Sequence, residues 1–158
     1  MDAAFKQHGF HLATKTPLFV AELPSFQALE NCEFPAKPLA IFIAADSREV
    51  STDEIARIAE RLLQQGVRYV CVWGPDCERV HDIFDEMYVG KGDEPYKFDL
   101  MTTWHKNDSI GEALWFFLNC AKVDAELTRR GSFAVKIGTP ANSGPIAELI
   151  QRIEEFID

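Results

Sequence analysis

His105 sits in the run Thr102-Thr103-Trp104-His105-Lys106-Asn107-Asp108, and imidazole is the side chain that titrates nearest neutral pH. With Asp108 three residues on, or Asp46 from elsewhere in the chain, to orient it, His105 has the makings of a general acid/base. Cys77 is the matching candidate nucleophile. A thiol in the first turn of a helix faces unpaired backbone N–H groups that lower its pKa, and a Cys77–His105 pair is the most specific catalytic reading of the chain. The plainer account, a turn histidine bonded to backbone and a small residue beside a helix cap, weighs more. The loop Gly138-Thr139-Pro140-Ala141-Asn142-Ser143-Gly144 precedes a helix that Pro145 opens, an arrangement able to present amide N–H groups to a phosphate or carboxylate. It matches neither G-x-x-x-x-G-K-[ST] nor G-x-G-x-x-G, so no nucleotide class and no cofactor is specified. Trp73, Trp104, Asp108, Thr139, Asn142 and Ser143 make up the candidate ligand-binding set. Cys77-x-x-x-His81 and His8-x-x-His11 lack a second ligand pair at convincing spacing, and no metal site is expected.

These residues fall at the ends of strands in a regular alternation. From Leu39 onward short apolar runs alternate with amphipathic segments, the mark of strand-helix units around a parallel sheet. Strands are expected at 39–45, 67–73, 98–104 and 132–137. Ser51-x-x-Glu54 and Ser109-x-x-Glu112 have the form of capping boxes, and Asp76 can cap the helix that holds Val80, Phe84 and Met87. One helix is predicted with Ile55, Ile58, Ala59, Leu62 and Leu63 on its buried face, another with Ile110, Ala113, Leu114, Phe117, Leu118 and Ala121. A further helical piece is expected over Lys122 to Arg130 and a last helix from Pro145. Pro17, Pro24, Pro35 and Pro38 interrupt residues 1–38, which read as an extension packed on the sheet edge, with Leu18-Phe19-Val20 as an edge element. The expected fold is one α/β domain over residues 1–158, three-layered, with a mainly parallel four-strand sheet of flavodoxin-like or Rossmann-like type. In such a sheet, ligands bind beyond the carboxyl ends of the strands, where the winding reverses. A 2-1-3-4 order of the four strands would bring Asp46 opposite Trp104 and His105 there.

The segment from Thr102 to Leu118, TTWHKNDSIGEALWFFL, together with Val70-Cys71-Val72-Trp73-Gly74, resembles an uncharacterised family of small bacterial α/β proteins, over about Leu39 to Cys120. The resemblance implies a bacterial, cytosolic protein and brings no catalytic residue with it.

Composition narrows the partners. Lys+Arg 16 against Asp+Glu 25 gives a net charge of -9, which repels phosphate backbones and anionic membranes, so nucleic acid and membrane are not expected partners. No apolar run has the length of a membrane span and the first residues lack the form of a secretory signal, so a cytoplasmic location is expected. Cys32, Cys71, Cys77 and Cys120 show no C-x-x-C spacing and read as reduced thiols. Between Asp76 and Asp99, eight acids face three bases, which places more than half of the net charge in one segment and suits a basic partner. Trp115 and Phe116 lie outside the narrow apolar stripe of their helix, an anchor of the kind enriched at interfaces. The preferred reading is a non-enzymatic protein-binding or accessory domain, inhibitor-like or immunity-like. Trp115, Phe116, Asp82, Asp85 and Glu86 are its contacts, with a basic protein or a second copy of the chain as partner. The alternative is a small enzyme or sensor for a phosphorylated or nucleotide-like ligand in the crevice of Asp46, Trp73, Trp104, His105 and Ser143.

Overall fold

The computed structural model describes residues 5–11, 14–34, 39–90, 100–120, 131–138 and 156–157. The expected elements over 122–130 and 145–155 lie outside them, as do Thr139, Asn142 and Ser143; Phe156–Ile157, expected at the end of the last helix, forms a strand instead.

Leu39–Ala44, here β3, is buried along its whole length, which explains its unbroken apolar sequence. Its side chains alternate between two cores. Leu39, Ile41 and Ile43 join one cluster with residues of α1 (Phe26–Glu30), α2 (Thr52–Gln64) and α3 (Cys77–Val89). Ala40, Phe42 and Ala44 join the other, with α4 (Ile110–Asn119). Helices therefore cover both faces of the sheet. The stripe predicted for α2 is its buried face, and Ser51 Oγ accepts the Glu54 amide at 3.1 Å. At α4 both arms of the capping box form, Ser109 Oγ with the Glu112 amide and Glu112 with the Ser109 amide, each at 3.1 Å.

Seven strands form the sheet, in place of the four expected. They are β1 (Lys6–His11), β2 (Pro17–Leu23), β3, β4 (Val67–Trp73), β5 (Met101–His105), β6 (Gly131–Ile137) and β7 (Phe156–Ile157), in the order β5-β4-β3-β6-β2-β1-β7. The five from β5 to β2 are parallel; β1 runs antiparallel to β2 and to β7.

Two expectations are corrected here. The N-terminal extension is not laid on an edge: β2 lies inside the sheet, pairing with β6 from Leu18↔Ser132 to Leu23↔Ile137. Its prolines permit this because Pro17 is the first residue of the strand and Pro24 follows its last, where neither removes a ladder donor. The strand order also differs. Among the four strands foreseen, the third lies outside the second, so β4 separates β3 from β5, and the winding reverses between β3 and β6.

Candidate functional site

Because β4 intervenes, Asp46 after β3 and His105 at the end of β5 do not share a crevice. Asp46 accepts from Arg48 Nε at 2.9 Å, from its Nη2 at 2.5 Å and from its backbone amide at 3.1 Å. These hydrogen bonds, the guanidinium's first, hold the carboxyl down at about 2. Committed to Arg48 and separated from His105 by β4, Asp46 is not the carboxylate that orients the imidazole. It lines instead a groove of about 460 Å³ where the winding reverses, with Ser25, Glu49, Glu54 and Gly138. The described lining carries three acids, of which Asp46 is paired with Arg48.

His105 is held as part of the structure. It is buried, its Nδ1 is 2.9 Å from Asp108 Oδ2, and its Nε2 lies 3.1 Å from Thr103 Oγ1 and 3.5 Å from Cys71 Sγ. Its ring packs on Phe116 with centroids 4.8 Å apart. Of the two orienting carboxylates expected, Asp108 is the one in place. The Trp73 indole donates to the Asp108 carbonyl at 2.8 Å, closing the turn between β5 and α4.

The thiol against the His105 imidazole is Cys71, which the sequence reading missed. Cys71 lies mid-strand in an apolar run, where a cysteine looks like core. The available signal was period 2 across a strand pair, for Cys71 is opposite Thr103 and His105 follows two residues later on the same face. Cys71 is fully buried, while Asp108 at the other end of this Cys-His-Asp chain is 40% exposed.

Cys77 contradicts its expected role. Burial pushes its thiol up, against smaller lowering effects from the amides of His105, Cys77 and Glu78. The helix N-terminus does act on the sulfur, but desolvation outweighs it, and the thiol stays protonated at neutral pH. Asp76 does not cap α3 either. It adopts a left-handed conformation, φ 66°, and its carboxylate takes Arg79 Nε at 2.7 Å. Arg79 reaches on to the carbonyls of Ser47 and Val50, 2.7 Å each, and ties α3 to the loop after β3.

A second cavity, about 470 Å³, opens at the ends of β4 and β5 and is lined by Trp73, Asp76, Cys77, Glu78, Lys106 and Asp108 among others. It gathers two of the proposed ligand residues, Trp73 and Asp108. The third described one, Trp104, is not there: it projects toward α3, against the His81 ring at 4.5 Å. Among the described residues no group of three His, Cys, Asp or Glu side chains could hold a metal ion.

The proposed contact residues divide between the two faces. Phe116 is half-buried on His105 while Trp115, one residue earlier, is 50% exposed. On the opposite face, α3 presents Asp82 and Glu86 to solvent, and Asp85, partly exposed, accepts from Thr102 Oγ1 at 2.8 Å. His81 Nδ1 is 2.8 Å from Asp82 Oδ1. Beside this acidic face Trp104 is 42% exposed.

Residues 11–153 match a family model described as a domain of unknown function, DUF7684. The chain belongs to that family. The DUF7684 match runs from His11, the last residue of β1, to beyond β6, so it takes in both cavities, the buried His105 chain and the acidic face. No curated protein matches the chain. In this DUF7684 domain Trp104 is 42% exposed beside the carboxylates of α3, and Cys71 and Cys77 are buried. Among the described residues no helix is long and apolar enough to cross a membrane.

Proposed function

We infer that the protein is a non-enzymatic binding domain whose contact surface is the outer face of α3 together with Trp104, and that its partner is a basic protein. The observation that carries this reading is Trp104, 42% exposed and in contact with His81, alongside Asp82 and Asp85. A rigid aromatic ring with one exposed face supplies contact area at little entropic cost. The carboxylates give direction: α3 carries Glu78, Asp82, Asp85 and Glu86 against a single base, Arg79, which is spent on Asp76 and the β3–α2 loop. Positive partners are steered to such a face and other acidic proteins kept off it. A homo-oligomer built on it would oppose like charges. The three-layer, Rossmann-like assignment and a cytoplasmic, reducing location belong to the same reading. The first is supported by helices on both sheet faces, the second by four cysteines joined in no disulfide.

The test is a matched pair of variants against one cationic probe, poly-lysine, at low ionic strength. Asp82→Asn/Asp85→Asn/Glu86→Gln should weaken binding about tenfold, each removed charge contributing roughly 0.5 kcal/mol. Glu22→Gln/Glu49→Gln/Asp53→Asn makes the same change in net charge at exposed positions elsewhere and should leave affinity near that of the wild type. Equal losses in the two variants would mean a diffuse charge effect, and the surface would lose its claim.

A further inference from the structure

β5 ends the sheet order, and among the described residues only β4 pairs with it, so its outer edge carries backbone N–H and C=O groups not used in the sheet. Its two faces differ. Thr102 and Trp104 lie opposite Val70 and Val72 and face α3, while Met101, Thr103 and His105 lie opposite Tyr69, Cys71 and Trp73 and face α4's side. On the α3 side the ring of Trp104 and the carboxylate of Asp85 flank the strand, the latter at 2.8 Å from Thr102. On the other, Met101 is 46% exposed. A strand added to this edge lies one ladder spacing, about 4.8 Å, further out, and its side chains alternate between the same two environments. One environment is acidic and aromatic; the other offers the exposed Met101 thioether beside Thr103.

Resting on the reading above, we propose that the partner docks by β-strand addition at the edge of β5, with an extended segment in which basic residues alternate with apolar ones. Basic side chains on the α3 side lie within a lysine's length of Asp85 and can stack on Trp104; apolar ones meet Met101. Charge decides the occupant. A second copy of this chain adding through its own β5 would set Asp82, Asp85 and Glu86 of one molecule near those of the other, like charge against like.

Two capped seven-residue peptides test it, one alternating lysine and valine, the other identical but methylated at every amide nitrogen, which keeps the charge and removes the donors. The wild-type protein should bind the first at least tenfold more tightly, with slowed amide hydrogen exchange in β5, and Asp82→Asn/Asp85→Asn should weaken that binding severalfold. Equal affinity for both peptides with β5 exchange unchanged overturns strand addition; if that binding still falls in the charge variant, the acidic surface stands without it. Failure of the first peptide to bind overturns the proposal, and the matched charge variants with poly-lysine then show separately whether the acidic face binds cations at all. Concentration-dependent protection of β5 without peptide would make a second copy the occupant and also overturn it.

Discussion

Gly74 shows how much one position after β4 constrains. Its φ is +114°, and a Cβ built there would come within 2.0 Å of the Ala45 carbonyl oxygen, because the β3 and β4 ends are pinned by Ala45 N–H to Trp73 O at 3.0 Å. Gly74→Ala meets a wrong backbone region and a backbone clash together, and should cost about 3 kcal/mol or more, a fall in melting temperature of roughly 6–12 °C by calorimetry. Asp46 gives a titration test. Its carboxyl, held at about 2 by Arg48, should move back toward the ordinary 3.8 in Arg48→Ala, read by NMR of the side-chain carboxyl. Since the folded value is the lower one, whatever this contact adds to stability is present above 3.8 and lost as pH falls through about 2. The thiols run the other way. Cys32 and Cys77 are raised by burial, so their contribution is full below their ordinary value of 9.0 and lost as pH climbs through the raised folded values. In the native state at pH 8, a thiol reagent should modify exposed Cys120 first and leave both untouched until unfolding. Rapid labelling of Cys77 would contradict its burial. At this scale the sequence offered Asp108 or Asp46 as the partner of His105, and Asp108 is the one beside it, because three residues in a turn bring the two together. It chose Cys77 over Cys71 because a helix start is visible in sequence and a cross-strand neighbour is not.

Helix α4 ties its local signals to its packing. The Ser109–Glu112 box satisfies two backbone donors at its start, and Ala113, Leu114, Phe117 and Leu118 are buried against β3 and β4. Ser109→Ala should lower stability by about 1 kcal/mol in denaturant unfolding with no change in slope, a loss of the cap alone. An unchanged midpoint would mean that packing holds the helix start without it. Helix α3 shows where sequence signals mislead. Asp76 has the right type and place for a cap, but Arg79 draws its carboxylate away to brace the β3–α2 loop. The stripes of α2 and α4 were legible because amphipathic spacing survives any tertiary arrangement. The interior place of β2 was not: the reading of Pro17 and Pro24 as breakers overlooked that a proline at a strand's border costs the ladder nothing.

Across the whole molecule, charge and topology decide what can be bound. The groove at the winding reversal, by fold analogy the first place to look for a ligand, presents Asp46, Glu49 and Glu54, so inorganic phosphate and nucleotides should leave the melting temperature unchanged at millimolar concentration. A rise of several degrees with any of them would restore the small-ligand reading. The net charge of -9 and the acidity of the segment from Asp76 to Asp99 were plain from the sequence, as was the α/β class, since alternation of apolar runs and amphipathic stripes is a local property. Local chemistry also sufficed for the caps at Ser51 and Ser109 and for the His105–Asp108 pair. Strand order is another matter, because neighbours in a parallel sheet are chosen by long crossovers whose length hardly restricts which edge they return to. Only the tertiary structure could put β4 between Asp46 and His105, seal Cys71 against the imidazole, carry β2 into the middle of the sheet and leave Trp104 at an edge beside the acids of α3.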